Sequence, residues 1–451
     1  MQRLLAAAAS GAPLLLNERG EGVGFRALLA QAQQFANQLP EGQAVVNLCR
    51  SHQAFLVTWM ATLLRRQQMV LPSDESGTAL DALRQLDSPL CLVNDCEPVA
   101  PVAGFSRLQL RLGDLDPHQP LVEDAPALEE DYWRRPDALL LYTSGSTGCP
   151  RPQPKSLHQL WQRARTTAAV VLEPGIRRVL STVPLQHMYG LENGLLLPLV
   201  AGLCALDRRP FYPADIAASL SADTLLVSTP GHLRYCFQLP SPCPPAGGML
   251  SATAPLASEL ALSLEERFDC QLVEVYGSTE TGVVATRRTA LESLWTPLPG
   301  LRVYSDAQHS WLEDENGRQP LSDRLQCGAD GRFLLSGRNQ DLAKIAGKRH
   351  SFAGLTQLML SIEGVEDAVV FAENDEYSRL SALVVSRLSV QEIRVRLRPL
   401  VDPVFLPRPL LKVDRLPRNA SGKLPRSALL EALADARASL DESRRKEQSN
   451  G

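Results

Sequence analysis

Three observations predict an α/β fold of two or three domains. Short apolar runs alternate with helical spacings over the first part of the chain. The texture changes near residue 300 and again near residue 340. The length, 451 residues, corresponds to two or three domains at roughly 150 residues each. In order, residues 25–38 have helical spacing and 44–49 read as a short buried strand. The same alternation recurs as helix 53–66, strand 70–72, helix 79–86 and strand 90–93. Further strand-like runs lie at 138–142, 179–183, 224–228 and 271–275, each followed by a loop. Alternation of this kind points to a mostly parallel sheet. Past residue 300, DENG (314–317) and GADG (328–331) punctuate short strands as hairpin turns do.

Composition narrows the functional class. Forty-six Lys+Arg against 50 Asp+Glu give a formal charge of −4, with 44% hydrophobic residues. That balance excludes fibrous and mostly disordered chains and argues against a dedicated nucleic-acid binder. The nine cysteines, at 49, 91, 96, 149, 204, 236, 243, 270 and 327, form no CxxC pair, which predicts reduced thiols and a cytoplasmic protein. The opening segment through Leu16 admits two readings, a signal peptide or an amphipathic helix and loop, and the cysteine pattern favours the second. The longest apolar run, Gly194–Leu206, has 13 residues and contains Pro198, too short to span a bilayer, so no stable membrane insertion is expected. Residues 387–426 hold ten Lys/Arg and three Asp/Glu, a local +7 that leaves −11 for the rest of a chain totalling −4. Such a segment reads equally as a docking surface for an anionic partner or as a solvated helical face. The polar stretch from Asp435 is expected to fray.

The strongest local signal is LLLYTSGSTGCPRPQPKSLHQL, residues 139–160. An apolar strand ends at Tyr142, and six Ser/Thr/Gly residues follow, Thr143, Ser144, Gly145, Ser146, Thr147 and Gly148. Glycines let backbone approach a ligand, and hydroxyls with exposed N–H groups converge on an anion. Lys155 and Arg151 would add positive charge. The alternative is a flexible Ser/Gly linker, although a linker rarely joins a hydrophobic strand to a helix. A P-loop is excluded because Pro150 and Arg151 stand where Gly-Lys is required.

YTSGSTG with a basic residue after it resembles the phosphate loop of the adenylate-forming (AMP-binding) superfamily, which includes acyl- and aryl-CoA synthetases. Six further motifs follow in that superfamily's order. VPLQHMYG (183–190) resembles the acyl-pocket motif, SATAPL (251–256) the turn beside the adenine, and VEVYGSTETG (273–282) the YGxTE motif. LSDRL (321–325) resembles TGDL, GRNQDLAKIAGKR (337–349) the interdomain hinge, and RNASGKLPR (418–426) the loop of the catalytic lysine. The resemblance runs from about residue 139 to 430. It implies a large N-terminal adenylation domain of α/β layers over 1–338 with a small β-barrel-like part, a small mobile α+β C-terminal lid over 339–434 hinged near Gln340, and a polar tail over 435–451.

The implied reaction joins a carboxylic acid to ATP with Mg²⁺, then passes the acyl group to the phosphopantetheine thiol of CoA or an acyl carrier protein. Two anions must meet, so positioning and charge neutralisation dominate. Glu280 suits Mg²⁺, which takes few carboxylates, and the family pattern adds Thr143. Tyr276, followed by Gly277, Ser278 and Thr279, offers a flat face to adenine, and Asp323 and Arg338 suit the ribose hydroxyls. Without the motifs these would read as a core tyrosine and a surface Asp–Arg pair. His187, Met188 and Tyr189, with Ser251, Ala252 and Thr253, are placed at the acid pocket. Lys423 would neutralise charge between carboxylate and α-phosphate, and Lys344 would serve thioester formation after domain rotation. The bland alternatives are a surface lysine for Lys423 and a salt-bridge partner for Lys344.

The chain departs from the pattern at Gln340, where Asp or Lys is usual, and at Arg151, where Lys is usual. Its short N-terminal portion and FLPRPL (405–410) resemble compact aryl/acyl ligases of aryl-polyene and xanthomonadin-type pigment clusters. A non-catalytic nucleotide-binding homologue and a stand-alone amino-acid adenylation unit are the competing readings. The second would require an acidic pocket residue that the sequence does not reveal.

Overall fold

The apolar runs become strands buried on both faces, as parallel strands covered by helices must be. The computed structural model describes residues 12–17, 19–72, 77–96, 104–121, 130–143, 151–306, 309–338, 342–345, 348–373, 380–401, 403–419 and 424–449. The chain packs as two units, Met1–Thr253 with Leu262–Val284, and Ala254–Ala261 with Ala285–Gly451. Their boundary falls inside the strand Gly282–Arg287. The class is α/β, as the alternation predicts.

In the first unit, one sheet has six strands in the order Phe105–Gln109, Leu90–Asn94, Ala44–Asn47, Met69–Leu71, Leu139–Thr143 and Arg151–Lys155. All neighbours are parallel except the last pair. A second sheet continues from Gly282–Arg287, itself paired with the edge strand Thr296–Pro297, through Leu272–Ser278, Gly248–Ser251, Thr224–Ser228, Arg178–Ser181, Cys204–Leu206 and Leu15–Leu16 to Gly22–Val23. The four strands from Leu272–Ser278 to Arg178–Ser181 are mutually parallel. The helices Phe25–Ala36, His52–Leu64 and Leu157–Val171 supply much of the main core.

Local chemistry fixes where these helices start. Ser156 and Gln159 close a capping box at Leu157–Val171. Ser51 accepts from the Ala54 N–H at 3.0 Å to cap His52–Leu64. The Asp207 carboxylate, just past the strand Cys204–Leu206, accepts from the N–H groups of His52 (2.5 Å) and Gln53 (3.1 Å), tying that helix start to the second sheet.

The second unit contains two antiparallel hairpin systems and an α+β body. Ser310–Asp314 and Gly317–Leu321 pair around the DENG turn, and Asp323–Cys327 pairs with Phe333–Arg338 around GADG. Farther on, the sheet Val365–Ala372, Leu380–Ser386 and Leu410–Lys412 carries an apolar core on each face. The helices Phe352–Leu360 and Val390–Leu397 cover one face, and Arg426–Ser449 packs on the other. The expectation of fraying from Asp435 is corrected, since this helix continues to Ser449. Its Ala, Glu, Arg, Lys and Gln content favours helix, and Arg437 anchors it to Glu373 at 2.6 Å.

The opening-helix expectation falls mostly on residues 1–11, outside the described residues, while Leu15–Leu16 pair with Ala205–Leu206 as a strand. Eight cysteines are free among the described residues. No helix among them is long and apolar enough to cross a membrane.

Candidate active site at the carboxyl ends of the parallel strands

Parallel strands present ligand-binding residues at their carboxyl ends, where the chain leaves the sheet. In the second sheet, Thr224–Ser228, Gly248–Ser251 and Leu272–Ser278 end in this way. The predicted pocket residues lie on these ends and on the segment after Arg178–Ser181.

Tyr189 is half-buried and its hydroxyl donates to the Ser228 carbonyl at 3.1 Å. Burial raises the phenol well above its ordinary pKa, so it stays a neutral donor. Met188 is buried, while His187 is half-buried and closes the tight turn that begins at Pro184, its N–H donating to Pro184 O at 3.2 Å. Ser251 and Ala252 are buried, and the hydroxyls of Ser251 and Thr253 make no hydrogen bond to protein. Thr253 holds φ at +80°, a strained conformation for a β-branched residue and the kind kept at functional sites.

Tyr276, half-buried, leads into the turn Gly277–Gly282. Ser278 and Thr281 close this turn reciprocally. Thr281 Oγ1 accepts from the Ser278 N–H at 3.1 Å, and Ser278 Oγ accepts from the Thr281 N–H at 3.3 Å. Gly277 is required, because a β-carbon there would collide with the Gly282 carbonyl. Thr279 is half-buried at the tip, and Glu280 beside it has an exposed side chain. Lys155 is buried and its Nζ donates to the Glu280 carbonyl. The two motifs 125 residues apart therefore meet in one place.

The donor chemistry fits Mg²⁺. One exposed carboxylate, Glu280, is enough for an ion that keeps most of its waters. Among the described residues no cluster of three or more His, Cys, Asp or Glu stands ready for another metal. Thr143 ends the strand Leu139–Thr143 and pairs with Arg151, so the two flank the segment that the sequence predicts as a phosphate loop. The predicted loop residues Ser144, Gly145, Ser146, Thr147 and Gly148 lie outside the described residues.

In the second unit, Asp323 and Arg338 are directly opposite in the antiparallel pair Asp323–Cys327 and Phe333–Arg338. Residues 15 apart in sequence are thus adjacent on one hairpin. Lys344 is the third residue of the strand Leu342–Ile345 and pairs with Arg349. Gln340 and Lys423 lie outside the described residues. The stem leading to Lys423 is described, and there Arg418 grips Asp367 at 2.9 and 3.1 Å.

Two buried carboxylates close to Tyr189 in the sequence or in space were not singled out from sequence. Glu192 is 2% exposed, Glu274 is 3% exposed, and Glu274 is close enough to raise the Tyr189 phenol further. An acidic residue inside the apolar stretch HMYGLENGLLLPLV was the available signal for Glu192, since charge is rarely buried without a partner.

A family model described as "AMP-binding enzyme" matches residues 6–338. The chain is 30% identical over 291 residues to a 4-coumarate–CoA ligase of Cereibacter sphaeroides, covering 62% of this chain and 69% of that one. It is 23% identical over 315 residues to a 3,4-dihydroxybenzoate–[aryl-carrier protein] ligase of Bacillus anthracis, covering 66% of this chain and 75% of that one. Its fold superposes on the anthranilate CoA ligase AuaEII in complex with anthranoyl-AMP with a TM-score of 0.79, at 16% identity and over 96% and 97% of the two chains. With the motifs in order, the strand-end site assembled and the family model matched over most of its length, the chain belongs to the AMP-binding enzyme family.

Proposed function

We propose that this chain is an AMP-forming acid–thiol ligase that activates an aromatic or fatty carboxylic acid with MgATP and passes it to a phosphopantetheine thiol. The observation that carries the reading is the convergence of Tyr189, Ser251, Thr253 and the Glu280 turn at the carboxyl ends of parallel strands. Lys155 holds that turn from the far end of the phosphate-loop motif.

In the first step a carboxylate oxygen bonds to the α-phosphorus of ATP, and the bond to the β-phosphate oxygen breaks, releasing pyrophosphate. In the second, the thiol sulfur attacks the acyl carbon, its proton is lost, and AMP leaves. Glu280 with Thr143 would hold Mg²⁺, whose chemistry is to neutralise the phosphates. Tyr276 would face adenine, and Asp323 and Arg338, adjacent by register, would take the ribose. Lys423 would act in adenylation and Lys344 in thioester formation, on a C-terminal module turning near Gln340, with the division of labour at about residue 338. The acceptor is CoA or an acyl carrier protein. The +7 segment suits an acidic carrier and equally the phosphates of CoA. The FLPRPL segment (405–410) supports membership of the pigment-cluster subgroup, and the cysteine pattern supports a cytoplasmic setting.

A screen of hydroxybenzoates, cinnamates and fatty acids by ATP–pyrophosphate exchange tests the reading. Exchange should depend on the acid and fall at least about 100-fold in Lys423→Ala. Lys344→Ala should keep exchange and slow thioester release. Exchange unchanged in Lys423→Ala would overturn the catalytic assignment. Competing CoA and carrier protein as acceptors over a salt series separates the two thiols. The buried Glu274 beside Tyr189 supports a second reading, activation of an amine-bearing acid, so aminobenzoates and amino acids belong in the panel.

A further inference from the structure

Between the acid pocket and the Glu280 turn sits a group that neither motif explains. Glu192 lies on a wide π-helical stretch, Gly190–Leu196, directly after the pocket residues His187–Tyr189. Such wide turns are rare and frequently mark functional sites. The Glu192 side chain is 2% exposed. Its Oε2 accepts from the Val283 N–H at 3.1 Å. Its Oε1 makes no hydrogen bond and fills the space where residue 282 would carry a β-carbon, 2.5 Å from that position. Residue 282 is glycine with φ at +68°, a conformation open to it and costly for others. The stem of Arg163, from the helix Leu157–Val171, passes the same glycine, its Cγ 3.3 Å from the β-carbon position.

The turn bearing Glu280 is therefore held at two points. Lys155 takes the Glu280 carbonyl, and Glu192 takes the Val283 N–H three residues later. One brace comes from the phosphate-loop side and the other from the acid-pocket side.

Building on the ligase reading, we infer that Glu192 is a positioning residue that fixes the Glu280 turn relative to the acid-pocket segment, and so sets the affinity for MgATP from the acid side of the site. A carboxylate placed even 1 Å away from the productive geometry loses much of its effect. A hydrogen-bond acceptor on a rigid buried element is a means of preventing that drift.

The test uses the full-length protein with Glu192→Ala, Glu192→Gln and Glu192→Asp. MgATP affinity is read by calorimetric titration, the Mg²⁺ and acid requirements by pyrophosphate exchange, and folding by thermal melting. Glu192→Ala should weaken MgATP binding about tenfold, the size of one buried hydrogen bond. It should raise the Mg²⁺ requirement and leave KM for the acid within about twofold. Glu192→Gln, whose amide oxygen can still accept from Val283, should restore MgATP binding to within about twofold of the parent. Glu192→Asp, one methylene short, should fall between them and decides the matter if the alanine variant does not fold. Unchanged MgATP affinity in Glu192→Ala or Glu192→Asp overturns the inference and leaves the ligase reading standing. A glutamine variant as impaired as alanine also overturns it, as do equal rises in acid KM and MgATP Kd with a lowered Tm, which mark general loss of packing. A parent protein that binds no MgATP overturns both readings.

Discussion

The turn at Glu280 and the stem of the Lys423 loop are held in opposite ways. The turn is braced from inside by the buried Lys155 and Glu192, neither more than 8% exposed. The stem is clamped near the surface by Arg418 on Asp367, with side chains 23% and 18% exposed, and by Arg426 reaching the Glu373 carbonyl at 3.4 Å. Disturbing a buried polar brace strands its partner away from water, and that costs more than losing a pair that water can re-solvate. The difference teaches that charged residues at this protein's motifs fall into two energetic classes that sequence spacing does not separate.

Substitutions of graded severity probe that contrast. Gly282→Ala comes first, because its methyl would press on Glu192 Oε1 in a positive-φ backbone. A loss of about 3 kcal/mol is expected, read as a clear fall in Tm; an unchanged Tm would mean the turn is not tightly held.

Glu192→Gln comes next, through pH. Burial is the main cause that pushes the Glu192 carboxyl up to about 7 from its ordinary 4.5, opposed by Arg163 and Lys155. The folded protein thus binds this proton more tightly than the unfolded chain. The group's cost is absent below about pH 4.5, and stability declines as pH rises from there through 7. The glutamine variant lacks this dependence, so it should gain on the parent between pH 5 and pH 8 by up to about 2 kcal/mol. Parallel Tm–pH curves for the two proteins would remove the buried-acid assignment.

Arg418→Ala should cost about 1–2 kcal/mol by leaving Asp367 without its bidentate partner. Faster tryptic cleavage at Lys423 is the accompanying readout, and an unchanged cleavage rate would argue that Arg418 does not set the stem. Arg437→Ala should cost less than about 0.5 kcal/mol. Its partner Glu373, held below the usual carboxylate range chiefly by Arg437, also accepts a hydrogen bond from Ser381. A larger loss there would erase the contrast between buried and surface clamps.

Much of the site was legible because its residues follow strand ends. An apolar run that stops at Ser228 or Val275 marks a place where backbone turns out of a parallel sheet, and polar residues just past such a stop are the natural candidates for a site. The Asp323–Arg338 adjacency followed from a hairpin whose turn, GADG, was visible. Glu192 was less legible, because its partner is a backbone N–H 91 residues away, and no side-chain pattern records a backbone acceptor. The bond of Lys155 to the Glu280 carbonyl was hidden for the same reason. The helix through Asp435–Ser449 escaped because low apolar content resembles fraying, while its hold comes from Arg437 on Glu373, 64 residues away.

By itself the sequence determined the α/β class, the order of motifs and the chemistry each could carry, since periodicity, turn residues and side-chain type are local properties. Only the tertiary structure decided which motifs meet, that Lys155 and Glu192 brace one turn from two sides, and that Arg418 holds the stem of the Lys423 loop. Those facts depend on burial and on backbone groups brought together from distant positions, and a linear pattern carries neither.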